Sequence, residues 1–252
     1  MTLMPSVPLL SLLPLTLLAT GLPTQPPTLF PPSTLPAIAP SPQLVSLTFK
    51  PRNLGAPPAT AGGASRGACQ EQAINLIPVM PTGQIGLTLV DRPSFFVFVP
   101  KTSIRTGEFL LLGNDDTEVL YQSTFKIPDS PAVLYFELPA DAPALKVGQQ
   151  YHWYISLVCD PLRPSTNPTT GGWVERISPT DSLSRSLAKA KPSDRPQIFA
   201  EAGIWHDTLT TLVGLRRSTP NNPSLAQAWT ELLQSVGLTT IASEPIVETK
   251  IK

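Results

Sequence analysis

Two histidines and two cysteines are the chain's whole supply of imidazole and thiol chemistry. Nucleophile activation and transition-metal binding generally draw on such groups. His152 lies in Tyr151-His152-Trp153-Tyr154, where a partly buried, hydrogen-bonded structural histidine is expected rather than a catalytic base. His206 precedes Asp207 at the start of a helical pattern, where an aspartate favours the macrodipole and caps amides. Cys69 and Cys159 have 89 residues between them and no histidine at ligand spacing, so zinc is not indicated. In an exported chain an even cysteine count points to a disulfide. Two inert buried thiols and a metal site are the competing uses. A bridge closing so long a loop contributes roughly 4 to 5 kcal/mol in the chain-entropy model.

Asp115, Asp116, Asp129, Asp141 and Asp160 fall at expected strand ends, where loops can hold calcium or sugar hydroxyls, although solvated turns explain them as well. Trp153, Tyr154, Trp173 and Trp205 form a candidate binding face. Phe95, Phe96 and Phe98 extend that aromatic supply, but at least half of it must fill the core of so small a domain. The expectation is of no Gly-x-Ser-x-Gly elbow, phosphate-cradling glycine loop, dinucleotide fingerprint, His-Glu-x-x-His or calcium-loop pattern. The expectation is no catalytic residue, no metal and no cofactor.

The elements that must position these residues begin as short β-type runs separated by Gly, Pro, Asn and Asp. They cover 73–79, 85–90, 94–99, 108–113, 118–127 and 132–138. Asn114-Asp115-Asp116 reads as a hairpin turn. Tyr151, Trp153, Ile155 and Leu157 then alternate with His152, Tyr154 and Ser156, and a last strand covers 171–177. Leu145-Lys146-Val147-Gly148-Gln149-Gln150-Tyr151 resembles the tyrosine corner of immunoglobulin-like sandwiches, with the Tyr151 hydroxyl bonded to backbone. The pattern then switches to helical spacing. A first helix runs from Thr180 to before Pro192, a second covers 193–202 and a third 204–217. A fourth starts from an Asn222 cap and Pro223 and stops at Gly237. With the last two joined by Pro-Asn-Asn-Pro and small Ala200, Ala202 and Gly203 at the preceding crossing, these helices resemble about one and a half tetratricopeptide repeats, too few to stand alone.

Composition frames these pieces. Fourteen of the 31 prolines precede Ala59, and no ionisable side chain occurs before Lys50. The apolar run from Val7 to Gly21 has the length of a signal-peptide core, with Ala19 and Gly21 fitting a cleavage site. No later stretch is long enough to span a bilayer. Net charge is zero and no basic cluster exceeds Arg216-Arg217, so nucleic acid is an unlikely partner. The expected plan is an apolar leader (1–21), a Pro-rich disordered linker (22–65), a β-sandwich (66–178), a helical hairpin module (179–243) and a tail (244–252). The fold class is α+β, an antiparallel immunoglobulin-like β-sandwich followed by a small tetratricopeptide-like helical module.

Arg66-Gly67-Ala68-Cys69, the Pro93-to-Pro100 strand, Tyr151 to Pro161 ending in Cys159-Asp160-Pro161, Gly172-Trp173 and Ala200-Glu201-Ala202-Gly203-Ile204-Trp205 stand together in this chain. In combination they resemble the largely cyanobacterial family called domain of unknown function 928, over about Arg66 to Val247. The resemblance implies an exported cyanobacterial protein and implies no activity.

Three functions are weighed. A non-enzymatic extracytoplasmic module, periplasmic or secreted, would bind another envelope or secreted protein. A polysaccharide-binding module of the cell envelope would present its aromatics in a flat exposed row. A hydrolase would need His152 or His206 within hydrogen-bond reach of a carboxylate in a cleft.

Overall fold

Alternating apolar residues build strands whose inward faces meet across an aromatic core. In the computed structural model, which describes residues 46–52 and 74–251, nine strands and four helices follow in chain order. The strands are β1 Ile77–Pro78, β2 Gly86–Thr88, β3 Ser94–Val99, β4 Thr106–Leu112, β5 Val119–Lys126, β6 Ala132–Glu137, β7 Gln150–Leu157, β8 Thr169–Arg176 and β9 Ile246–Glu248. The helices, all between β8 and β9, are α1 Asp181–Lys189, α2 Arg195–Glu201, α3 Trp205–Ser218 and α4 Pro223–Ser235. Mixed α+β architecture is therefore the observed class.

One sheet has the order β1-β3-β6-β9 and the other β2-β8-β7-β4-β5. Phe95 of β3 lies 5.0 Å from Phe109 of β4 and 5.4 Å from Trp153 of β7, ring centre to ring centre, so the sheets interdigitate. The all-antiparallel expectation needs correction, because β2 pairs parallel with β8 and β6 parallel with β9. Strand direction is set by where the chain re-enters a sheet, and neither pair is joined by a hairpin that would force opposite directions. β9 also corrects the tail, since Ile246, Val247 and Glu248 pair with Val133, Leu134 and Tyr135.

The helices form where caps and apolar stripes coincide. The Thr180 hydroxyl accepts from the Leu183 amide and the Asn222 side chain from the Ser224 amide, as those residue types favour. Helix α3 lies on the sheets: Trp205 Nε1 donates to the Val79 carbonyl at 2.8 Å, and Trp205, Leu209, Leu212 and Val213 share one core with β3 and β6.

Residues 46–52 correct the linker expectation. Leu47 and Phe49 are buried while Ser46, Thr48 and Lys50 are exposed, and the Phe49 ring meets Trp205 edge to face at 4.7 Å. The strap is fastened along its backbone. The Leu47 amide donates to Glu231, the Phe49 amide to Ser235 Oγ and the Lys50 amide to the Ala200 carbonyl. Gly203, at φ +71° between α2 and α3, lies against this strap, where a Cβ would stand 2.9 Å from the Lys50 carbonyl. The leader, the rest of the linker and Cys69 lie outside the described residues.

Candidate functional site

The β4–β5 hairpin ends in Gly113-Asn114-Asp115-Asp116-Thr117-Glu118, closed by the Gly113 amide on the Glu118 carbonyl. Asp116 takes φ +57°, a left-handed conformation that aspartate tolerates better than most residues. Its carboxylate reaches His152 on β7, where Nδ1–H donates to Oδ1 at 2.7 Å. The same Nδ1–H is shared with the Tyr154 hydroxyl oxygen at 2.9 Å, and the imidazole stacks on Trp173 at 4.3 Å. Burial lowers the His152 pKa more than Asp116 raises it. Burial pushes the Tyr154 hydroxyl up to about 12, helped by Asp116. At neutral pH the cluster is a neutral imidazole oriented by a carboxylate, beside a protonated phenol.

Next to this cluster opens a groove of about 830 Å³, walled by three separate segments. The hairpin contributes Asn114, Asp115 and Glu118, the Pro143-to-Gln149 turn contributes Lys146 and Gln149, and Glu175 closes one side. The turn is set by Tyr151, whose hydroxyl accepts from the Lys146 amide at 2.9 Å, the backbone bond expected of that tyrosine. Leu120, Pro143 and Ala144 add apolar surface to a mainly polar wall. Asp115, fully solvated, is held below its ordinary carboxylate pKa by Thr117 and is ionised at neutral pH.

The second histidine is built into the core. His206 is fully buried, its Nδ1–H donates to the Ser94 carbonyl at 2.9 Å, and Nε2 has no partner among the described residues. That nitrogen faces Gly86, where a Cβ would lie 2.5 Å from it. Burial holds the His206 pKa at about 4. Asp207 corrects the capping expectation. Its carboxylate accepts from Thr88 Oγ1 at 2.8 Å and the Leu89 amide at 3.2 Å, fastening α3 to β2, and burial raises its pKa.

The four-residue aromatic face is not assembled. Trp153, Trp173 and Trp205 are all at most 2% exposed, and Tyr154 is half-buried. Trp153 and Trp205 fill the core, while Trp173 stacks on the imidazole. The acidic strand ends serve local roles: Asp129 pairs with Arg105, Asp160 accepts from the Leu162 amide and Arg163, and Asp141 lies 3.4 Å from the Tyr121 hydroxyl. Cys159 is half-buried, and its amide donates to Asn167 Oδ1 at 3.2 Å.

Motif reading missed the Asp116–His152 pair, because 36 residues separate the partners and only the register of β4 on β7 joins them. The expectation of no Gly-x-Ser-x-Gly also needs correction, because Gly63-Ala64-Ser65-Arg66-Gly67 is a literal match. A nucleophile elbow opens a helix, whereas the first described element after this run is strand β1, and the run itself lies outside the described residues. Among the described residues no group of three or more His, Cys, Asp or Glu is placed to hold a metal ion, and no helix is long and apolar enough to cross a membrane.

No curated protein and no solved structure matches this chain. A family model does, from residue 61 to residue 246, taking in β1 to β8, all four helices and the groove, and the chain belongs to that family, Domain of Unknown Function (DUF928).

Proposed function

We propose that this is a non-enzymatic extracytoplasmic module that binds another envelope or secreted protein through the groove at the β4–β5 hairpin. The supporting observation is the groove itself, about 830 Å³ walled by three segments. Its lining mixes backbone, amide, carboxylate and ammonium groups with apolar Leu120, Pro143 and Ala144, the blend usual for protein–protein recognition. The compartment rests on the apolar leader and on a Cys69–Cys159 disulfide, which would tie the segment before β1 to the end of β7. We read the two sheets as an immunoglobulin-like sandwich, on the strength of the Tyr151 corner bond, and α3 with α4 as a tetratricopeptide-like hairpin.

A photo-crosslinking side chain at Gln149, on the groove wall, is expected to give one discrete adduct with a host envelope protein, and the same side chain at Arg185 on α1 none. Thiol counting on the same material should find no free cysteine. Equal labelling from both positions, or none from Gln149, would sink the groove reading. Two free thiols would sink the compartment.

The hydrolase reading gains one observation, the Asp116–His152 bond at 2.7 Å. Against it, the His152 side chain is only 1% exposed. The hydroxyl within its reach, that of Tyr154, is a poor nucleophile with its pKa pushed up to about 12. The polysaccharide reading loses its flat aromatic row, because Trp153, Trp173 and Trp205 are buried.

A further inference from the structure

Independently of that groove, a smaller pocket of about 310 Å³ lies where the last turn of α3 meets β6 and β9. Its apolar walls are Val213, Pro220 and Ile246, and its polar groups are Tyr135, Arg216, Arg217 and Glu248. Arg217 is engaged: Nη1 donates to Glu248 Oε2 at 2.8 Å and to the Tyr135 hydroxyl at 2.9 Å. Arg216 is not. Its guanidinium carbon stands 5.6 Å over the Trp229 ring, and Nη1 is buried with no hydrogen-bond partner among the described residues.

A cation near the C-terminus of α3 is favoured by the helix dipole wherever the side chain lies in solvent. That effect accounts for an arginine here, but not for burying one of its donors unpaired, which forfeits a hydration that nothing among the described residues replaces. The Trp229 face fixes the guanidinium plane while Arg216 stands in the pocket lining, so a ligand bound there would meet an arginine already oriented. Arg216, Arg217 and Glu248 together give the pocket one net positive charge, which matches a monoanion. A phosphate dianion would be undercompensated beside Glu248.

We propose that the pocket recognises a carboxylate carried on a small apolar body, with Arg216 as the carboxylate-binding residue and Val213, Pro220 and Ile246 receiving the apolar part. A peptide C-terminus and a short branched organic acid share this chemistry.

The test is a titration of the full chain followed by nuclear magnetic resonance of the arginine side chains and the Trp229 indole. The probes are N-acetyl-leucine, its amide, 4-methylpentanoate and inorganic phosphate. N-acetyl-leucine or 4-methylpentanoate is expected to shift the Arg216 and Trp229 signals saturably, with the amide at least tenfold weaker. The tighter of the two acids identifies the source. Arg216→Met and Arg216→Gln should each abolish the shift while backbone spectra stay native-like, and Arg185→Gln should leave it unchanged. Equal response to acid and amide, no response to either acid, undiminished binding by both Arg216 variants, or phosphate competing at equal affinity would each overturn the assignment.

Discussion

Phe49→Ala is expected to destabilise the protein by about 3 to 5 kcal/mol, the range for truncating a fully packed phenylalanine. The residue stands in a stretch whose composition reads as linker, yet its ring is buried edge to face on Trp205 and its neighbour Leu47 is fully buried. Removing the ring leaves a cavity against Trp205, and the surrounding α2, α3 and α4 are held by too many other contacts to collapse into it. Leu47→Ala should cost about 2 to 5 kcal/mol by the same reasoning, since that side chain is fully buried in the same core, and the double variant should lose more than either alone. Thr48, exposed between them, supplies the control: Thr48→Ala should stay within about 0.5 kcal/mol. Urea unfolding of the full chain measures all four. Should Phe49→Ala unfold at the same urea concentration as Thr48→Ala, the strap would contribute nothing to the folded core.

Acidification should remove about 3 kcal/mol through His206 alone. Its folded pKa of about 4 lies below the ordinary histidine value of 6.5 because the ring is buried. Nδ1–H is already committed to the Ser94 carbonyl, and a second proton on Nε2 would face Gly86 without an acceptor. A depressed histidine pKa means that the unfolded chain binds the proton first. Stability is therefore intact above pH 6.5 and falls as the pH drops from 6.5 to about 4, at 1.36 kcal/mol per unit of difference. His152 shifts in the same direction, burial outweighing Asp116, and adds to the loss. Asp207 opposes it, because burial raises its pKa and the folded state takes up that proton before the unfolded chain does. Chemical unfolding of the wild type and His206→Gln, at several pH values between 7 and 4, isolates the histidine. The variant should show a slope shallower by about 3 kcal/mol over that range. Parallel slopes would show that His206 titrates alike in both states.

What the sequence revealed depended on how local the deciding physics was. Strand β3 occupies Ser94–Val99 as its apolar run indicates, and α4 starts where Asn222 and Pro223 set its cap. Turn chemistry likewise placed the β4–β5 hairpin and the Tyr151 corner bond. Leu47 and Phe49 make only one period of alternation, too short to stand out inside a proline-rich stretch. The three residues of β9 become a strand only because β6 offers a parallel edge. The fate of the tryptophans was beyond local pattern too. Trp173 occupies the same sheet face as His152, a face that alternation alone would leave to solvent, and the stacked pair is nevertheless buried. The candidate site depended on contacts made at long range, Asp116 to His152 and Asp207 to Thr88, which no spacing rule reports.

The strap also determines how the molecule would carry a mechanical load. Tension applied from the residues before Ser46 meets Leu47, Phe49 and Lys50 first, and these are fastened to Glu231, Ser235 and the Ala200 carbonyl on α4 and α2. From the helices that load passes to the sheets through the shared core, where Trp205 is bonded to the Val79 carbonyl. The three strap hydrogen bonds and the Phe49–Trp205 contact are thus the first interactions that such a load would test, and the helices share it before the strands begin to part.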